Sequence, residues 1–113
     1  MSSTEILPTN SLFLIDLKYV APLDEIEALI PDHISYLEDG YEDGVFFTSG
    51  RKEPRTGGVI LATGASFESI RQRAATDPFV RAGLAEATIT EFVPSRMAIE
   101  DFQSWLGEDP FVA

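Results

Sequence analysis

His33 is the single histidine of the chain, and histidine is the side-chain type that titrates near neutrality. It stands four residues after Leu29 and seven after Ile26, on the apolar stripe of a helical pattern, so its ring points toward whatever that helix packs on. Two roles fit such a place. One is a core histidine whose nitrogens are satisfied by backbone groups; the other is a general acid/base, which needs a polar pocket. Asp77 precedes Pro78, and Asp at an N-cap with Pro at the first helical position is a stop-and-restart signal. The same carboxylate can accept the Nδ1–H of His33, fixing the tautomer so that Nε2 takes a proton from a substrate. A carboxylate has two oxygens, so the cap and the pair are compatible.

Ser49 closes a strand pattern before Gly50, either as a small strand-end residue or as a donor to a substrate oxygen. Arg51, Lys52 and Arg55 place three of the eight basic residues in one short loop of an acidic chain. An Arg fork there suits a carboxylate, phenolate or enolate, and the surrounding negative field leaves it as the attractive spot for a small anion. The alternative is a solvated loop with Glu53 as internal partner. The chain has no cysteine, which excludes a thiolate nucleophile, a zinc-thiolate site, an iron–sulfur cluster and a disulfide framework. No metal-type ligand accompanies His33, and Gly57-Gly58 and Gly64 lack phosphate-cradle spacing before a helix, so neither metal nor cofactor is expected.

The elements that must position these groups belong to one domain, since the chain has 113 residues, 44% of them hydrophobic. A net charge of -11 argues against nucleic acid and anionic lipid as partners. Apolar runs such as Leu12-Phe13-Leu14-Ile15 fall far short of the roughly 20 residues that span a bilayer. Residues 1–11 carry Glu5 and Pro8 with no basic or long apolar stretch, and are expected to be a loose arm rather than a signal peptide. The absence of cysteine and of a leader pattern makes a cytoplasmic location the expectation.

Ser11–Val20 alternates as a half-buried strand, and Ile26, Leu29, Ile30, His33, Ile34, Leu37 and Tyr41 repeat at helical spacing. Pro31 must kink that helix or restart it, and Gly40 and Gly44 are expected to end it. Strands over 44–50 and 57–63 form a hairpin. Ser66 caps a helix to about Ala75, Asp77-Pro78 punctuates, and Leu84–Val93 alternates as a last strand. The order β-α-β-β-α-β predicts an α+β, ferredoxin-like domain over residues 12–94, an antiparallel sheet with both helices on one face. Phe13, Phe46, Phe47, Val59, Leu61 and Ile89 put apolar surface on both faces, which predicts a homodimer joined sheet to sheet. In residues 95–113, Met97 to Leu106 has the spacing of a tail helix.

His33 with Tyr36-Leu37, the run Gly44-Val45-Phe46-Phe47-Thr48-Ser49-Gly50, then Gly57-Gly58-Val59-Ile60-Leu61-Ala62, and Asp77-Pro78-Phe79 followed by Ala82-Gly83-Leu84 resemble the YciI-like (YCII-related) family. The resemblance covers about residues 12–93. It implies a ferredoxin-like fold, a dimeric α/β barrel and a His-Asp active-site pair, falling on His33 and Asp77. A related dehydrochlorinase of a chlorinated hydroxyhydroquinone implies that the scaffold supports elimination. Many members carry Pro where this chain has Arg51. The function expected is a small cofactor-free, lyase-like enzyme: His33 and Asp77 act on an anionic or phenolic small molecule held by Ser49, Arg51 and Arg55. The alternatives are a non-catalytic metabolite-binding module and an accessory dimeric domain.

Overall fold

The computed structural model describes residues 4–5, 11–64 and 66–97. In chain order the elements are β1 (Thr4–Glu5), β2 (Leu12–Tyr19), α1 (Leu23–Ala28), α2 (Ile30–Glu42), β3 (Phe46–Arg51), β4 (Gly57–Thr63), α3 (Phe67–Ala75), α4 (Pro78–Arg81), β5 (Ala85–Phe92) and β6 (Arg96–Met97). They fall into two compact units, Leu12–Phe92 and the two chain ends. Within the end unit β1 and β6 pair antiparallel, Thr4 opposite Met97 and Glu5 opposite Arg96. Met97, expected to open the tail helix, therefore lies in a strand. The rest of that helix and most of the N-terminal arm lie outside the described residues.

In the unit Leu12–Phe92 the sheet order is β3-β4-β2-β5, with antiparallel pairing throughout. Register follows from the two-residue alternation of β2, because a one-residue slip would turn its apolar set away from the helices. Phe13, Ile15 and Leu17 are buried, and they stand opposite Ala62, Ile60 and Gly58 of β4. Together with Phe46, Ile70 and Ala74 they form the main core, on which Ile89 and Leu37 also pack. Each large side chain withdrawn from water there contributes about 1.5–3 kcal/mol. A smaller cluster of Ile26, Phe79 and Ala85 sits beneath α1 and α4. Val59 and Leu61, offset by one residue from buried Ile60 and Ala62, face the side away from the helices and are half-buried.

Pro31 restarts rather than kinks the helix. Leu29 caps α1 and opens α2 at φ −102° and ψ 2°, and Pro31 takes the first turn, where its missing N–H has no intrahelical partner to lose. Gly40 does not end α2. The helix runs on to Glu42, and Gly40 is buried within it because Phe46 lies against it, so that a Cβ would fall 2.0 Å from the ring. Gly44, at φ +74°, makes the actual stop, which also delays β3 to Phe46. Ser66 caps α3, its hydroxyl accepting the Ser69 N–H while its own N–H donates to the Ser69 hydroxyl. Among the described residues no helix is long and apolar enough to cross a membrane.

Candidate functional site

α2 carries His33 onto the sheet-facing side, and the Asp77-Pro78 restart puts a carboxylate next to it. Nδ1 of His33 lies 3.1 Å from Oδ1 of Asp77. The same Oδ1 accepts the Phe79 N–H at 2.9 Å as the N-cap of α4, so the cap and the pair coexist on one oxygen. Asp77 is 0% exposed, and its Oδ2 has no hydrogen-bond partner. An acceptor at Nδ1 requires the proton to sit there in the neutral ring, which leaves Nε2 as the basic nitrogen. The ring is held nearly parallel to Phe79, centroids 4.3 Å apart, and to Tyr36 at 6.0 Å. Packing and hydrogen bond together fix both ring position and tautomer.

The His33 ring forms one wall of a cleft of about 470 Å³ between α2 and the β3–β4 side of the sheet. Ser49, Arg51 and Arg55 line the same cleft, and Leu17, Ile60 and Phe79 give it an apolar floor. Asp77 stands behind His33, off the cleft surface. Register explains the company: Ser49 pairs with Ile60, and Arg51 with Gly58, which in turn stands opposite Leu17. Gly58 has no side chain to fill the space between Leu17 and Arg51, and the cleft opens there.

The basic cluster of the sequence divides. Lys52 turns to the other face of the sheet, where its Nζ bonds Asp16 at 2.7 Å. Arg55 reaches Glu27 of α1 at 3.1 Å, and Arg51 has, among the described residues, Glu53 at 3.6 Å from its Nε. Two polar partners escape sequence reasoning. The Tyr41 hydroxyl shares a hydrogen bond with the Ser49 hydroxyl, its ring edge-on to Phe46 at 6.2 Å. Tyr41 reads as one more apolar-stripe residue, and its contact depends on how α2 is laid against β3. Glu27 is the other, and nothing local marks it. Among the described residues no group of three or more His, Asp or Glu is placed to hold a metal ion.

Tyr36 packs beside the pair and donates its hydroxyl proton to the Arg73 carbonyl at 3.1 Å. Burial first, and the nearby Asp77 charge second, push its phenol well above the ordinary tyrosine value, with Arg73 opposing. The neutral phenol is thus favoured by folding. Its contribution is complete below the unfolded value of about 10 and is lost as pH rises beyond it. Tyr36→Phe is expected to cost about 1 kcal/mol at neutral pH for the lost hydrogen bond and to flatten the alkaline loss of stability. Urea midpoints of both proteins between neutral and strongly alkaline pH check this; parallel curves would remove Tyr36 from the alkaline transition.

A four-stranded antiparallel sheet in this order, with its helices on one face, is an α+β arrangement compatible with the ferredoxin-like fold. The chain belongs to the YCII-related domain family, whose model matches residues 12–93, nearly the same span as the compact unit. Among solved structures it is similar in fold to 5-chloro-2-hydroxyhydroquinone dehydrochlorinase from Burkholderia phenoliruptrix AC1100, in complex with 2,5-dihydroxybenzoquinone. That match has a TM-score of 0.62 at 22% identity and covers 70% of this chain and 90% of that one. No curated protein matches the chain.

Proposed function

We propose that the cleft is the active site of a small acid/base enzyme of lyase type, acting on a small phenolic or enolic anion. The observation that carries this is the His33–Asp77 contact at 3.1 Å behind a ring that lines the same cleft as Ser49, Arg51 and Arg55. His33 Nε2 takes a proton from the substrate, the freed electron pair moves into the substrate, and the leaving group departs with its bonding pair. Asp77 offsets the imidazolium charge so formed, and the guanidinium of Arg51 holds the developing oxyanion. Positioned proton transfer of this kind supplies about 10²–10⁴ in rate, which suits proton abstraction and elimination. The fold relative that eliminates chloride and binds a dihydroxybenzoquinone supports the substrate class. An apolar floor under a cationic rim suits a planar oxygenated ring.

The test is chloride release from 5-chloro-2-hydroxyhydroquinone by the full chain. Release above the uncatalysed rate is the expected result. Saturable binding of the compound without release would overturn the catalytic reading in favour of a binding module, and the absence of both release and binding would overturn the cleft's role altogether.

The domain is further proposed to work as a homodimer through the sheet face away from the helices, where half-buried Leu12, Leu14, Val59 and Leu61 lie. Light scattering is expected to give twice the 12.4 kDa chain mass. A monomer at micromolar concentration would exclude that assembly.

A further inference from the structure

Arg51 and Arg55 both line the cleft, yet their surroundings differ. The Arg55 guanidinium donates to Glu27 Oε1 at 3.1 Å, a contact that joins α1 to the β3–β4 hairpin. Arg51 stands 3.6 Å from Glu53, at the limit of an ion pair, with the two side chains 69% and 79% exposed. One guanidinium of the cleft is therefore committed to a protein carboxylate and the other is only loosely engaged. Within the committed pair the Arg55 side chain is 28% exposed and Glu27 58%, so the cation sits inward and its counter-ion on the solvent side, where it can be exchanged.

We infer that Glu27 is a specificity-determining residue: by engaging Arg55 it leaves the cleft one loosely engaged guanidinium, Arg51, and so selects ligands of a single negative charge over dianions. The inference rests on the reading of the cleft as an anion site. A monoanion settles on Arg51 without disturbing the second pair. A second negative group directed at Arg55 meets the Glu27 carboxylate already there, and must displace it or lie beside a like charge. The pair is not needed to hold α1 in place, because Ile26 is buried in its own cluster with Phe79 and Ala85. Removing the carboxylate should thus change charge selectivity more than stability.

The experiment titrates the full chain with benzoate and with isophthalate at constant ionic strength, following the backbone amide signals of Ser49, Gly50 and Gly58 by NMR. Glu27→Gln is expected to tighten isophthalate about three- to fivefold, the scale of an exposed ion pair, and benzoate less than twofold. Glu25→Gln, on the same helix and exposed, corrects for the general loss of negative charge and should move both probes less than twofold. In an Arg55→Gln background the Glu27 effect should vanish. Equal tightening of both probes, an effect that survives Arg55→Gln, or a lowered Tm with unchanged selectivity would each overturn the inference. If Arg51→Gln weakens benzoate while Glu27→Gln leaves the selectivity as it was, the cleft stands and the role of Glu27 falls. If neither probe moves the cleft signals in the wild type or in Glu27→Gln, the anion site itself falls, and the inference with it.

Discussion

His33→Gln is expected to lower the rate of chloride release by about 10²–10⁴ while leaving the protein folded. The glutamine amide can still donate toward Asp77, so the buried carboxylate keeps a partner, but it cannot take a proton as Nε2 does. Asp77→Asn separates two roles of one residue. Its side-chain oxygen still accepts the Phe79 N–H, so the cap of α4 survives, but the charge that offsets an imidazolium is gone. The amide NH2 would also sit where Oδ2 now lies without a partner, adding a buried donor with nothing to bond. Asp77→Asn should therefore lose more than tenfold in rate with a stability cost of about 1–3 kcal/mol. Asp77→Ala loses the cap as well, and it orphans both the His33 Nδ1–H and the Phe79 N–H, for about 2–4 kcal/mol in all. Initial rates of chloride release and urea midpoints on the three variants check the series. A His33→Gln enzyme within threefold of wild type would remove His33 from the proton transfer.

The features of this site that were legible in the sequence are those with a local cause. Ser66 marks the start of α3 because its hydroxyl satisfies an N–H three residues on, and Asp77 marks α4 for the same kind of reason. The strand over 57–63 is bounded by glycine and by β-branched alternation, and it runs over those residues. Where a residue's role is set by a distant partner, local rules misled. Gly40 reads as a helix stop, but it is helical because the Phe46 ring of the next strand takes the space of a side chain. Arg51 and Lys52 read as one cluster, whereas strand alternation sends adjacent side chains to opposite faces, and Lys52 meets Asp16 there. That separation could have been drawn from period alone. Tyr41 on Ser49 and Glu27 on Arg55 could not, since they depend on how two helices are laid against the hairpin. The approach of His33 to Asp77 across 44 residues had chemical complementarity and the family resemblance behind it, but its distance came only with the fold.

Gly57→Ala is expected to destabilise the domain by about 3 kcal/mol, which lowers Tm by roughly 12–24 °C for a domain of this size. A Cβ at this position would fall 1.9 Å from the Leu17 carbonyl oxygen and 2.9 Å from its carbon. These are backbone atoms of β2, and they cannot turn aside as a side chain can. Relief requires the start of β4 to move off β2, against the pairing of Gly57 with Lys18 and the bond from Tyr19 N–H to the Thr56 carbonyl at 2.9 Å. The Lys52 N–H bonds the Gly57 carbonyl at 2.9 Å, so the displacement would carry the whole hairpin with it. Arg51 and Arg55 ride on that hairpin, and a variant that still folds should bind benzoate more weakly although Gly57 does not line the cleft. Gly50→Ala is the matched control in the neighbouring strand. Nothing lies within 4 Å of where a Cβ would stand at Gly50, and replacing a strand glycine where there is room should leave Tm unchanged or raise it by the equivalent of about 0.5–1 kcal/mol. Thermal unfolding followed by circular dichroism reads both. Equal Tm values for the two variants would mean that β2 and β4 do not approach as closely at Gly57 as the sheet geometry requires, and that the hairpin is free to hold its arginines elsewhere.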